Sequence, residues 1–296
     1  MESISSPVAR KRGLMDESIE QGMVGSPVLL VLVDDSQIQI GVVDSLRNKA
    51  VALQVYHMPA EEEAEYISPV KHIESILNSD SLISDWKDQP VRVGFFSSQH
   101  SMVPDPLFHK DSINDILALT GSSAEESRIG MSELVPSIHA QFLYTVPVQA
   151  QRLLEQRFGS IRFHSAAAQF IECRLRENKF NQAPLVSVHV RPRHLDVMVS
   201  EGNELRFYNS FRYRTAEDFT YYILFVLEQL GLNPDTQSVE IFGDIEKSSS
   251  HWMLARKYIR EINSGNRCSG LEYSYGFDSI PTHLDYALFS LYVCGS

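Results

Sequence analysis

Apolar and polar residues alternate along two neighbouring stretches near the start of the chain. The alternating apolar positions are Leu29, Val31, Val33, Ile38, Ile40 and Val42, and the polar break between the two stretches is Asp34-Asp35-Ser36. An apolar residue at every second position is typical of a β-strand with one buried face. The pattern therefore predicts a β-hairpin whose loop carries two acids.

The same pattern returns 157 residues further on. Its apolar positions are Val186, Val188, Val190, Leu195, Val197 and Val199, and each lies 157 residues after its counterpart in the first hairpin. Here the polar break is Arg191-Pro192-Arg193-His194. The match runs without a gap and predicts a second hairpin of the same design, with a basic loop instead of an acidic one.

The elements predicted after each hairpin are also similar. Third strands are predicted at 50–56 and 204–211, and strands of buried type at 91–96 and 238–243. Between them, Ser68 and Pro69 predict the start of one helix, and a capping box of Thr215 with Asp218 predicts the start of another, which Gly231 ends. The order β-β-β-α-β therefore occurs twice in an α/β chain.

This organisation predicts two lobes, 26–182 and 183–296. Residues 1–25 are polar, mixed in charge and without apolar periodicity, which predicts a flexible tail. Residues 281–294 are apolar, but their pattern leaves open whether they form a helix or a strand.

Composition narrows the classes of function. Hydrophobic residues make up 43% of the chain, enough for a packed core, and the formal net charge of −12 argues against broad binding to nucleic acid. The longest apolar runs are too short for a membrane helix and no signal peptide is evident, so we expect a cytoplasmic protein without membrane insertion. The three cysteines, Cys173, Cys268 and Cys294, are widely spaced; we expect core packing and no disulfide framework.

Two copies of a three-stranded meander followed by helices and strands resemble the actin-like ATPase architecture of sugar kinases, Hsp70-type chaperones and actin. The stretch LRFYNSFRYRTAEDFTYYILFVLEQLGL and the following VEIFGDI resemble an uncharacterised bacterial domain-of-unknown-function family with that fold. The resemblance implies a duplicated ribonuclease H-like, actin-like fold. It also implies an ATP and Mg²⁺ site between the lobes, held by two hairpin loops that commonly read Asp-x-Gly.

The matching loops of this chain depart from that pattern. Asp34 and Asp35 keep an acid at the first strand end, but Ser36 stands where glycine is expected. The second loop has neither the acid nor the glycine, and its proline has no N–H to offer a phosphate. For binding the adenosine part of ATP, the resemblance implies Gly243 and Asp244 as candidates. We therefore expect a degenerate ATP site and a non-hydrolysing module that acts in binding or assembly with a protein partner.

Alternatives remain open at this point. Asp34 could serve a weak ATPase or phosphotransferase, or a metal nuclease with Asp244 and Glu246, although no recognisable metal motif is present. Arg191, Arg193 and His194 could hold an anion or a partner through their side chains. A regulatory nucleic-acid binder could use three arginines interleaved with aromatic residues, namely Arg206, Arg212 and Arg214; period two, however, predicts ordinary alternation between core and solvent there.

Overall fold

The computed structural model describes residues 9–58, 70–84, 86, 89–121, 127–159 and 161–295. Its strands are β1 (Ala9–Met15), β2 (Pro27–Val33), β3 (Gln37–Asp44), β4 (Lys49–His57), β5 (Val91–Phe95), β6 (His100–Pro104), β7 (Arg128–Val135), β8 (Ala140–Pro147), β9 (Arg162–Ser165), β10 (Pro184–Val190), β11 (His194–Glu201), β12 (Glu204–Arg212), β13 (Ser238–Gly243), β14 (Glu261–Ser264) and β15 (Glu272–Tyr273).

The α-helices alternate with these strands. They are α1 (Glu17–Glu20), α2 (Val70–Ser79), α3 (Ser81–Ser84), α4 (Ile113–Ala118), α5 (Val148–Phe158), α6 (Ala166–Asn178), α7 (Ala216–Gln229), α8 (Ser250–Tyr258) and α9 (Tyr286–Val293). Short 3₁₀ turns cover Asp105–Leu107, Lys110–Ser112, Pro136–Ile138 and Tyr275–Ser279. Ser68 and Pro69, the predicted start of α2, lie outside the described residues. Within the described part, no helix combines the length and apolar character that crossing a bilayer requires.

The first sheet has the strand order β1-β4-β3-β2-β5-β9, with β15 beside β4. Strands β2, β3 and β4 form the predicted antiparallel meander, and β5 and β9 continue the sheet in parallel. Strands β2, β3 and β4 are buried along almost their whole length, because helices including α9 pack on the sheet. The mixed sheet predicted for this part of the chain is confirmed.

The second sheet has the order β12-β11-β10-β13-β14, again a meander continued by parallel strands. Its hairpin has the same register as the first: Val186 faces Val199 as Leu29 faces Val42. The capping box of Thr215 and Asp218 is present at the start of α7, as predicted.

A third sheet, β6-β8-β7, is inserted in the chain between β5 and β9. Its central strand β8 is buried along almost its whole length, whereas no apolar pattern in the sequence indicates its two partners. Both partners carry mostly half-exposed residues and one side of each is not paired, so their apolar periodicity is weak.

The prediction of a flexible tail over 1–25 is wrong for the residues described. Strand β1 pairs antiparallel with β4, and α1 follows with Asp16 as its N-cap. Strand β1 lies at the edge of the sheet, where polar side chains reach solvent, and it therefore lacks the alternation that identifies a half-buried strand. The preceding residues 1–8 lie outside the described part.

The end of the chain returns to the first sheet, although the sequence assigned it to the second lobe. The ambiguous stretch 281–294 contains helix α9, and the apolar residues from Cys268 to Cys294 belong to the same core as β2, β3 and β5. The three cysteines are buried in the core, as expected, but the sequence did not indicate that Cys173 of α6 and Cys294 are joined by a disulfide, while Cys268 remains a thiol. A separation of 121 residues gave no sequence signal for this pairing.

Candidate functional site

The two hairpin loops meet face to face, and an ion pair joins them. Arg191 follows β10 as Asp34 follows β2, 157 residues earlier, and its Nη1 donates a hydrogen bond to Asp34 Oδ1 over 2.8 Å. The residue that replaces the expected acid of the second loop is therefore bonded to the acid of the first loop.

Arg191 is buried, with a side chain only 2% exposed. Its Nε and Nη2 donate to the two carboxylate oxygens of Asp196 over 2.9 Å each, and Nη2 also donates to Ser210 Oγ. The ring of Phe96 lies 4.5 Å from the guanidinium carbon. The sequence suggested that Arg191 is an exposed loop residue open to an anion. In the structure the anions that it contacts are the protein's own carboxylates.

One guanidinium between two buried carboxylates leaves one negative charge in excess. Burial raises the pKa of Asp34 to about 7, because the loss of solvent outweighs the attraction of Arg191. Burial also opposes ionisation of Asp196, but its two bonds to Arg191, together with His189, hold its pKa well below the ordinary value. Asp34 Oδ2 has no hydrogen-bond partner in the described part, so this oxygen is where a proton would reside.

The remaining loop residues close the space between the hairpins. Asp34 Oδ1 also accepts from the backbone N–H of Asp35, and Asp35 lies 3.5 Å from His194 Nδ1. Burial and the neighbouring Arg191 lower the pKa of His194 to about 4, so this histidine is neutral near pH 7. Ser36 is buried, with Oγ donating to Asp35, and the backbone carbonyl of Arg193 accepts from Tyr213 N–H.

The cavity left between the loops has a volume of about 30 Å³. It is lined by both loops and by Phe95, Phe96 and Arg128. Pockets that hold small ligands commonly measure about 300–1,000 Å³. In this conformation the space between the loops accommodates no nucleotide phosphates.

The candidates for binding the adenosine part of ATP are Gly243 and Asp244, and both are in close contact with other residues of the chain. Gly243 has a φ of +87°, and a Cβ there would lie 2.2 Å from the carbonyl oxygen of Val190, so the close approach of β13 to β10 requires glycine. Asp244 accepts from Lys11 Nζ over 2.8 Å and lies 3.3 Å from His57 Nε2. Burial opposes ionisation of Asp244, but its bonds from His57 and Lys11 lower its pKa below the ordinary value.

The acids proposed for metal binding are not gathered into one group. Asp34 pairs with Arg191 and Asp244 with Lys11, while Glu246 accepts from Ser248 Oγ. Among the described residues, no three His, Cys, Asp or Glu side chains are placed so that they could hold a metal ion. On the basic strand β12, Arg206 lies within 4 Å of Glu201 and Glu204.

The sequence did not predict the residues that contact the Arg191 side chain. Asp196 lies in the middle of β11 and is 1% exposed, and Ser210 and Phe96 come from other strands or loops. One signal was available: Asp196 lies between the apolar residues Leu195 and Val197, and a buried acid requires a cationic or hydrogen-bonded partner. The nearest arginines in the sequence are Arg193 and Arg191, three and five residues before it.

Comparison with solved structures places the fold. A Bacteroides thetaiotaomicron protein described as having an actin-like ATPase fold and unknown function is 16% identical, covering 82% of this chain and 92% of its own, with a TM-score of 0.70. The PilM-PilN type IV pilus biogenesis complex contributes a chain that is 11% identical, covering 90% of this chain and 96% of its own, with a TM-score of 0.55. The protein has an actin-like ATPase fold. Among curated proteins, none matches the chain in sequence.

A family model described as "Protein of unknown function (DUF3822)" matches residues 23–262. Since this match spans most of the chain, the protein belongs to that family.

Proposed function

We propose that the protein is a non-hydrolysing actin-like module that acts by binding a protein partner. The observation that carries this proposal is the Arg191–Asp34 ion pair. In active proteins of this fold the two hairpin loops approach the phosphates and their Mg²⁺ together. Here the guanidinium of Arg191 lies between the loops and is hydrogen-bonded to Asp34 and Asp196. Asp34 therefore already has a cationic partner.

The loop backbone supports the same proposal. Pro192 has no N–H, and Ser36 is buried where a glycine would let backbone N–H groups approach a phosphate. The N–H of Asp34 is bonded to the carbonyl of Gln37, and that of Arg191 to the carbonyl of His194. Neither of these donors is available to an incoming phosphate unless its hairpin opens.

A partner protein is supported by the fold. One structure with a similar fold, PilM, is described in complex with PilN, a second protein of pilus biogenesis. The alternatives have less support. A metal nuclease would need Asp34 and Asp244 to leave separate cationic partners, and a nucleic-acid binder would use a strand whose Arg206 is already near two glutamates, on a chain of net charge −12.

Phosphate release from ATP in the presence of Mg²⁺ tests the proposal. Wild type, Asp34→Asn and the exposed control Asp111→Asn are compared in the same assay, with titration calorimetry of ATP and Mg²⁺ into each protein. We expect all three to release phosphate at the same background rate and to give no saturable heat. Mg²⁺-dependent release that is present in wild type and Asp111→Asn but lost in Asp34→Asn would establish an ATPase and refute the proposal.

A further inference from the structure

A second cavity lies away from the hairpin loops, between the edges of two sheets. Its volume is about 480 Å³, and it is lined by Ser132, Glu133 and Leu134 of β7, by Arg162, Phe163 and His164 of β9, and by one face of α6. Strand β9 ends the first sheet, and β7 ends the third sheet. Each of these strands therefore has one side that pairs with no other strand in the described part of the chain.

Glu133 organises the floor of this cavity. Its Oε1 lies 2.5 Å from His164 Nδ1 and accepts from Gln169 Nε2 over 2.7 Å, while Oε2 accepts from the backbone N–H of Ser165. Because a carboxylate accepts hydrogen bonds, this contact assigns a proton to His164 Nδ1, and in that tautomer Nε2 is an acceptor. His164 Nε2 makes no hydrogen bond to another described residue.

Gln169 presents a second acceptor. The residue is 4% exposed, its Nε2 is used by Glu133, and its Oε1 is a buried oxygen without a hydrogen-bond partner in the described part of the chain. Gln169 and His164 contact the same oxygen of Glu133, so their two free acceptors belong to one small region of the cavity wall. A buried acceptor without a partner is unfavourable, and a ligand that supplies a donor removes that cost.

The acids of the cavity need no further cation. Glu133 already accepts three hydrogen bonds, and Glu172 accepts from the N–H and Oγ of Ser137 and from Arg176 Nε. Gln169 Oε1 is an acceptor, so what it lacks in the described part of the chain is a hydrogen-bond donor. At the mouth, Arg162 is exposed and the Arg176 side chain is 49% exposed, which favours an acidic neighbour for that donor.

We propose that this cavity binds an extended segment of a partner protein that inserts an asparagine or glutamine side chain. The NH₂ group of a carboxamide has two hydrogens, one for His164 Nε2 and one for Gln169 Oε1. An acidic residue two positions away projects to the same side of an extended segment and meets Arg162 or Arg176. Leu134, which is 46% exposed at the rim, packs against an apolar residue of the segment.

An extended chain fits because one wall is the edge strand β7. The N–H and C=O groups on the unpaired side of an edge strand bind a further strand through main-chain hydrogen bonds, and side-chain pockets then supply specificity. On β9, the Ser165 N–H already donates to Glu133 and the Phe163 carbonyl already accepts from Tyr144 Oη, so the segment pairs with β7. This inference rests on the proposed binding function and specifies which side chains the partner protein presents. It does not depend on the loss of ATP hydrolysis, so the phosphate-release assay and a peptide-binding assay can fail separately.

Selection from a display library of random heptapeptides on the full-length protein tests this inference. Selected peptides are then measured on wild type and on Gln169→Leu, which removes the free acceptor, and on Leu134→Glu, which repels an acidic segment from the rim and changes only an exposed side chain. The matched control is Leu119→Glu, an 87% exposed leucine outside the cavity lining. Thermal melting of each variant reports whether it is folded.

We expect selected peptides to share a carboxamide residue with an acid two positions away. Their affinity should fall about tenfold on Gln169→Leu, because the carboxamide donor loses its acceptor, and about tenfold on Leu134→Glu, because the new carboxylate repels the acid of the peptide. It should stay unchanged on Leu119→Glu. If Gln169→Leu fails to fold, Leu134→Glu decides the result. The inference is overturned if no peptide is enriched, if the enriched peptides lack a carboxamide, or if they bind Leu134→Glu as well as wild type.

Discussion

Replacing Arg191 by methionine should destabilise the protein far more than the loss of any exposed arginine. The substitution keeps an unbranched, apolar side chain of similar length against Phe96, but it removes the hydrogen bonds to Asp34, Asp196 and Ser210. Two carboxylates, 1% and 3% exposed, are left without their cation. Removing one partner of a buried ion pair costs about 3–5 kcal/mol, a large share of a typical stability of about 5–15 kcal/mol.

The cost should depend on pH in a defined direction. Without Arg191, burial raises the pKa of Asp196 above its value in the unfolded chain, so the folded variant binds a proton that the unfolded chain does not. By linkage, the variant gains stability as pH falls from about 8 to about 5. In wild type the pKa of Asp196 is already below its ordinary value, so this carboxylate gives no such gain in that range. The difference between the two proteins is therefore larger at the higher pH.

Urea unfolding followed by tryptophan fluorescence measures both effects, at about pH 5, 6.5 and 8. The matched control is Arg206→Met, whose side chain is 55% exposed and lies 3.6 and 3.9 Å from its carboxylate partners. We expect about 0.5 kcal/mol or less for this control. A loss below about 1 kcal/mol for Arg191→Met, or a loss that does not change with pH, would refute the reasoning that Arg191 neutralises buried acids.

Three further results are expected. The pKa of Asp34 is about 7 in the folded protein and near 4 in the unfolded chain, so the stability of the wild type should decrease by about 1 kcal/mol per pH unit as pH rises from about 5 to 6.5. Asp34→Asn should abolish this pH dependence. Equal slopes for the two proteins in urea titrations would contradict this. Gly243→Ala should cost at least about 2 kcal/mol more than Gly231→Ala in thermal unfolding, because both have positive φ but only Gly243 has a carbonyl within 2.2 Å of the new Cβ. Peptide mapping of the oxidised protein should recover Cys173 linked to Cys294, and Cys294→Ser should lower stability by about 2–4 kcal/mol in the absence of reductant; a different pairing would contradict the arrangement of α6 and α9.

The two sheets could be predicted from the sequence because their central strands alternate or are wholly apolar. The displacement of 157 residues placed the two hairpins in equivalent positions, and the structure gives them the same register. Strand β1 and the partners of β8 could not be predicted in the same way. They lie at sheet edges, where solvent accepts polar side chains and the periodicity is lost.

For the candidate site, the sequence indicated a correspondence between the two loops but not the contact between them. The sequence indicated that the loops at Asp34 and Arg191 correspond and that the second loop lacks an acid. It did not indicate that the two residues bond to each other, because a contact across 157 residues depends on how the two sheets pack. The role of Asp196 was hidden for a related reason, since an acid between apolar residues indicates a buried partner but does not identify it.

A crystal structure grown with Mg²⁺ and a non-hydrolysable ATP analogue would show whether the Arg191–Asp34 ion pair excludes a nucleotide. We expect Arg191 Nη1 to stay about 2.8 Å from Asp34 Oδ1, with no triphosphate density between the hairpin loops. A triphosphate bound there, with Asp34 facing Mg²⁺ and Arg191 turned away from it, would contradict the account.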